Sequence, residues 1–243
     1  MVREVRSPDA LDFERRMRDS IVESAEALNA SGVDFATFDD SRGNPQFWTL
    51  TEIGGLQLNP GVKPSDGIKD IFQNGLLYAF ECATAMVIVL YRATMDSIGE
   101  EAFNTYFTDL FLWDWNYDEN LRLITNYNKE QIQRGDIVYF KNPDHAPNKP
   151  EWQGENAVKL GEDLFYGHGI GITTGEIIIA SLNQERVPGS TTSAYFMDQS
   201  LHPDFNYLQR LSTGLVLSGA ENRGGLPRTI FSRIGVRNYV YKL

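Results

Sequence analysis

The sequence is poor in the residues from which most redox and metal sites are built. It holds one cysteine, Cys82, and three histidines among 243 residues. A single thiol excludes an intramolecular disulfide framework and a cysteine-built metal site, and it points to a reducing compartment. Cations are also outnumbered: 22 Lys and Arg against 33 Asp and Glu leave a net charge of −11. A polynucleotide backbone is neutralised by clustered cations, so no nucleic-acid partner is expected. The acidity favours solubility and the approach of lysine-bearing substrates. No run reaches the roughly 20 apolar residues of a membrane span. The longest, Ala83 to Tyr91 interrupted by Thr84, reads as a buried helix. Basic residues at the start have no apolar stretch behind them, so no secretion signal is read there.

What is present is a 42% hydrophobic content, enough for one substantial core, and a single domain over residues 1–243 is the expectation. Ser7-Pro8 followed by Asp9, Asp12 and Glu14 is a helix start, and Leu11, Met17, Ile21, Ala25 and Leu28 continue it at helical spacing until Gly32. Ser65 is read as the cap of a helix ending at Asn74-Gly75. A long helix is expected over residues 80–97 and a short one over 100–108. Residues 35–38, 47–50, 111–115, 136–140, 156–160, 164–173 and 176–180 read as strands, being rich in β-branched and aromatic side chains between turn residues. Residues 142–149 read as a surface loop. Helices first and strands later predict an α+β fold, helices packed on a mostly antiparallel sheet. Residues 196–243 form a C-terminal segment to which no role is assigned.

Cys82 is placed in the first turn of the most hydrophobic helix. Unpaired N–H groups and the positive end of the helix dipole favour a thiolate there and supply donors for an oxyanion. A lone cysteine beside an apolar run is as readily an inert core residue. Among the histidines, His145 and His202 lie beside prolines in polar stretches, whereas His168 sits between glycines in an apparent strand, as a structural group or as a base. Glu155 opens the strand after Trp152-Gln153-Gly154. Buried beside Trp152, its carboxyl would rise toward the range of a thiol, and the two would exchange a proton as a coupled pair.

These segments, taken together, resemble the bacillus spore transglutaminase family. The likeness runs through Phe80-Glu81-Cys82-Ala83-Thr84-Ala85, Trp152-Gln153-Gly154-Glu155-Asn156, and Leu160-Gly161-Glu162-Asp163 leading to Gly167-His168-Gly169. It also includes Phe35-Ala36-Thr37-Phe38, Asp114-Trp115, Tyr139-Phe140-Lys141-Asn142-Pro143 and Ser193-Ala194-Tyr195, covering about residues 14–195. The resemblance implies a papain-like core in which Cys82 is the nucleophile, Glu155 its partner carboxylate, Glu81 the preceding acid and His168 an active-site histidine. It implies a substrate tunnel lined or gated by the aromatic Phe35, Trp115 and Trp152, with Asn156 also a tunnel residue. The last several dozen residues depart from the pattern, and Asn116 stands where the resemblance leads one to expect histidine.

The implied activity is that of a protein-glutamine gamma-glutamyltransferase: a Cys82 thioester, release of ammonia, and a glutamine–lysine isopeptide cross-link. No cofactor and no calcium or other metal is expected. The expected partners are proteins bearing glutamine and lysine, spore-coat proteins among them, with a monomeric enzyme made in the mother cell and placed at the spore surface. Two other readings use the same residues: a papain-like cysteine amidase or peptidase with His168 as base, and a non-catalytic coat scaffold.

Overall fold

The computed structural model describes residues 8–214, 229–234 and 237–242. In chain order the helices are α1 (Pro8–Ala30), α2 (Pro64–Gln73), α3 (Cys82–Ile98), α4 (Glu100–Tyr106), α5 (Gly175–Gln184) and α6 (Phe205–Ser212). The strands are β1 (Asp34–Phe35), β2 (Trp48–Leu50), β3 (Leu56–Leu58), β4 (Ala79–Phe80), β5 (Phe111–Leu112), β6 (Ile124–Asn126), β7 (Ile137–Lys141), β8 (Gly154–Lys159), β9 (Phe165–Gly167), β10 (Gly171–Thr173), β11 (Tyr195–His202), β12 (Thr229–Ile234) and β13 (Arg237–Lys242). The main sheet runs β10-β9-β8-β7-β11-β6, with every neighbouring pair antiparallel.

Side-chain alternation along the central strands sorts the interior into two layers. Ile137, Tyr139, Val158 and Tyr166 join the larger core with α1 and α3, whereas Val138, Phe140, Ala157 and Phe165 meet Ile178 and Leu182 of α5. Helix α1 buries Phe13, Met17, Ile21, Ala25 and Leu28, a stripe at three- and four-residue spacing, as its sequence pattern requires. Helix α3 is buried over almost its whole circumference, which is why its sequence is nearly uniformly apolar.

Several sequence expectations change here. Residues 176–180, read as a strand from their isoleucines, lie in helix α5. Thr174 accepts a hydrogen bond from the Ile177 N–H as its cap, and Ile178 and Leu182, four apart, face the sheet. Burial of that face outweighs the β preference of branched side chains. Residues 164–173 divide into β9 and β10 around a turn at His168–Ile170, with Gly169 and Gly171 at positive φ. The long helix begins at Cys82, two residues later than read, because Glu81 caps it and Phe80 belongs to β4. Lys63, not Ser65, precedes α2, with Pro64 in its first turn. Ser65 instead exchanges hydrogen bonds with the Asn104 side chain.

The segment after Tyr195 is built into the fold. Strand β11 lies between β7 and β6, and α6 buries Phe205, Tyr207, Leu208 and Leu211 in the larger core. Arg18 of α1 fastens this region. Its Nη1 donates to Asp136 Oδ1 at 2.6 Å, its guanidinium lies 4.8 Å from the Phe205 ring centre, and Asp136 Oδ2 accepts from Ser200 Oγ and the Gln133 N–H.

Candidate active site

Cys82 is the first residue of α3, and the chain enters that helix from β4, which pairs in parallel with β1. Both carboxylate oxygens of Glu81 fold back over the helix start, Oε2 accepting from the Ala83 N–H at 2.7 Å and Oε1 from the Thr84 N–H at 2.6 Å and its hydroxyl at 2.8 Å. This corrects the expectation that first-turn amides stand open for an oxyanion, since Glu81 already occupies two of them. The Asn156 Nδ2 donates to the Cys82 sulfur at 3.3 Å.

The thiol is 9% exposed. Burial, followed by the charges of Glu155 and Glu81, pushes it well above the ordinary cysteine range, against the opposing hydrogen bonds of Asn156. The expected resting thiolate is therefore replaced by a neutral thiol: desolvation and two neighbouring acids outweigh the helix dipole. Glu155, 6% exposed, is also raised well above the carboxylate range, by burial first and by Glu81 second, while the His168 backbone N–H works the other way. Its Oε1 is buried without a partner among the described residues. Strand β9 stops at Gly167, opposite Ala157, so β8 continues past it and leaves the Glu155 flank open. A Cβ on Gly167 would stand 2.9 Å from Glu155 Oε1.

His168 has its ring fully engaged. Nε2 lies 3.2 Å from the Asp34 carbonyl and 3.1 Å from the Phe80 carbonyl, and Nδ1 lies 3.0 Å from the Tyr166 hydroxyl. Two acceptors at Nε2 place the proton there, so Nδ1 accepts from the tyrosine. The ring stacks on Phe80 at 5.2 Å, and burial lowers its pKa to about 4. It ties β1 to β4 two residues before the nucleophile, and its ring nitrogens hold no bond to Cys82.

A cavity of about 160 Å³ opens onto Cys82, with Phe35, Trp115, Tyr139 and Asn156 in its wall. Trp152 is placed differently from the tunnel reading: it packs against the smaller apolar layer between the sheet and α5. Glu81, Asp114 and Glu151 supply all the charged residues of the cavity wall. Asp114 entered the resemblance beside Trp115 but was given no role in the site. It is buried, with φ of 49°, a left-handed conformation that a short acidic side chain tolerates but no sequence pattern announces. Asn116 donates from Nδ2 to the Phe111 carbonyl at 2.7 Å. His145 and His202 stand outside the cavity wall. Among the described residues no group of three or more His, Cys, Asp or Glu is arranged to hold a metal ion, and no helix is long and apolar enough to cross a membrane.

Residues 1–212 match the family described as protein-glutamine gamma-glutamyltransferase. The chain belongs to that family. A protein-glutamine gamma-glutamyltransferase of Bacillus mycoides is 50% identical over 193 residues, covering 79% of this chain and 70% of the relative. One from Bacillus cereus is 43% identical over 233 residues, covering 96% and 80%. The structure of a transglutaminase from Geobacillus stearothermophilus, without its C-terminal extension, superposes with a TM-score of 0.81 at 48% identity, over 85% of this chain and 98% of that one. The α+β expectation of helices on an antiparallel sheet thus agrees with a solved transglutaminase. Likeness to the family extends past the limit of residue 195 read from motifs, to 212 in the family match and further in the Bacillus cereus relative. A transglutaminase is an acyltransferase whose substrates are proteins carrying glutamine and lysine.

Proposed function

We propose that this transglutaminase joins glutamine to lysine through a thioester on Cys82, with Glu155 as the proton carrier. The observation that carries the reading is a buried thiol raised by the buried Glu155 carboxyl, with a cavity opening onto Cys82 that is large enough for a side-chain amide. As sulfur attacks the glutamine carboxamide carbon, the thiol proton passes to one oxygen of the neutral Glu155 carboxyl while the proton on its other oxygen passes to the nitrogen, so that the C–N bond breaks and ammonia leaves with the carboxyl still neutral. The lysine amine then attacks the thioester. The Glu155 carboxyl takes the proton from the attacking nitrogen on one oxygen and gives the proton of the other to sulfur as the S–C bond breaks. A neutral resting pair suits this cycle, because each transfer then creates charge only transiently.

The oxyanion is held by the Asn156 side-chain amide and the Cys82 N–H, because Glu81 occupies the next two amides of the turn. Glu81 acts as the cap that fixes Cys82 at the helix start and as a negative neighbour. His168 acts as a positioning residue, a neutral clamp on the strand before Cys82, rather than as a base. Phe35 and Trp115 keep water from the thioester, Trp152 braces the chain leading to Glu155, and the acidic wall draws in an ammonium. The amidase reading loses its distinctive base, since both imidazole nitrogens of His168 are engaged.

The enzyme works as a single monomeric domain over residues 1–243, without calcium, in cross-linking of coat proteins at the spore surface after synthesis in the mother cell. The test is cadaverine incorporation into casein in excess EDTA, followed by mass spectrometry, beside a Cys82→Ala control. Amine on casein glutamines only with the intact cysteine supports the reading. Glutamines converted to glutamate without amine capture would support a hydrolase, and no reaction would leave a scaffold.

A further inference from the structure

Asn156 presents an unusual pair of atoms to the reacting centre. Its Nδ2 donates to the Cys82 sulfur at 3.3 Å, while its Oδ1 is buried with no hydrogen-bond partner among the described residues. The residue is 6% exposed and forms part of the cavity wall, held by β8, where it pairs with Tyr139 of β7. A buried carbonyl oxygen without a donor is costly, and native interiors leave few of them. Thr37, Tyr139 and Gln153 stand in the same wall, yet none of their donors reaches this oxygen.

We infer that Asn156 is the specificity residue for the acyl donor, reading the substrate glutamine as a complementary amide pair. Its Nδ2–H bonds the substrate carbonyl oxygen, and its Oδ1 accepts one N–H of the substrate NH2. The two atoms of one amide lie roughly 2.2 Å apart, so a donor carbon within attack distance of the sulfur brings its oxygen and nitrogen against both. Glutamate cannot complete this pair. Its carboxylate would set an oxygen lone pair against Oδ1 and a negative charge among Glu81, Asp114 and Glu151. The same amide therefore admits glutamine and rejects the glutamate left by any hydrolysis, so a deamidated donor does not re-enter.

This inference rests on the Cys82 thioester reading, and the experiment separates the two. Asn156→Ala and the parent enzyme are supplied with a peptide carrying either glutamine or its γ-methyl ester, with cadaverine as acceptor. The ester keeps the carbonyl oxygen and loses the N–H, so it uses Nδ2 and not Oδ1. Asn156→Ala should lose at least tenfold more kcat/KM on the carboxamide than on the ester. Ester turnover also reports that the variant is folded. Equal losses on the two donors, or no loss on either, would overturn the inference while leaving the thioester reading intact. Absence of an acyl group on Cys82 in the ester-fed parent would defeat the thioester reading and this inference with it.

Discussion

Replacing Gly167 by alanine should separate catalysis from folding. An added Cβ would lie 2.9 Å from Glu155 Oε1, 3.0 Å from its Cγ and 3.3 Å from its Cδ, whereas ordinary van der Waals contact begins at 3.4 Å. The three nearest heavy atoms all belong to the Glu155 side chain, so its carboxyl must withdraw by about 0.5 Å, the difference between 3.4 and 2.9 Å. Gly167 does not have the positive φ of Gly169 and Gly171, so alanine is tolerated by the backbone. Stability should consequently change by less than about 1 kcal/mol, the loss of space being offset by lower entropy of the unfolded chain. Activity should fall by roughly ten- to a hundredfold, because a proton carrier displaced by a fraction of an ångström from its partner is strongly penalised. The assay is cadaverine incorporation at saturating donor, paired with urea denaturation. Full activity in a stable variant would refute the role given to the Glu155 position, and a stability loss matching the activity loss would reduce the effect to misfolding.

At neutral pH Glu155→Gln exchanges a neutral carboxyl for a neutral amide, and the burial that holds the Cys82 thiol up remains. Iodoacetamide labelling at neutral pH should therefore stay close to that of the parent while amine transfer drops at least a hundredfold, as expected for loss of a general acid–base; much faster labelling would show Glu155 to rest as a carboxylate. In the parent enzyme labelling should climb steeply with pH, so slow labelling at neutral pH is no sign of an inert scaffold. His168 titrates near 6.5 when exposed and near 4 when folded, so the unfolded chain binds the extra proton between these values. Stability should fall by roughly 3 kcal/mol as pH drops from 6.5 to 4, seen as a lower urea midpoint. A His168→Asn variant should lose that slope, and a parent protein with a flat profile would show the ring to be solvated. Arg18→Ala leaves Asp136 buried without its cation, and a loss of about 3–5 kcal/mol in urea denaturation is expected; Asp136→Asn on the same background should recover part of it.

The parts of this enzyme legible in sequence were those fixed by local pattern. Helix α1 carried its stripe and its proline start, and the Cys82 helix announced itself by an apolar run that only a buried helix could use. Glu155 and Cys82, 73 positions apart in the chain, were coupled by residue type and paired by resemblance, and the fold brings the carboxyl near enough to raise the thiol. What escaped were features decided by tertiary partners. The isoleucines of α5 have strand propensity and became helical because Ile178 and Leu182 needed one face. The thiol was expected ionised because the helix start was visible and the desolvation was not. The side-chain cap of Glu81, which occupies the two amides an oxyanion would have used, depends on a rotamer. His168 looked like a base because nothing in its flanking glycines tells that two carbonyls from β1 and β4 close on one nitrogen.

The placement of β11 has a consequence for how the chain comes into being. Among the described residues strand β6 pairs with β11 alone, and β7 keeps an open edge until β11 fills the gap. During synthesis most of the chemistry-bearing residues, from Phe35 to His168, emerge before that strand exists, and the N-terminal part waits with an unpaired sheet edge and an uncovered core until residues 195–212 arrive. An exposed edge of that kind invites pairing with other chains. A nascent cross-linking enzyme thus passes through a stage in which its own incomplete sheet is the hazard, and chaperone dependence should end with the emergence of α6.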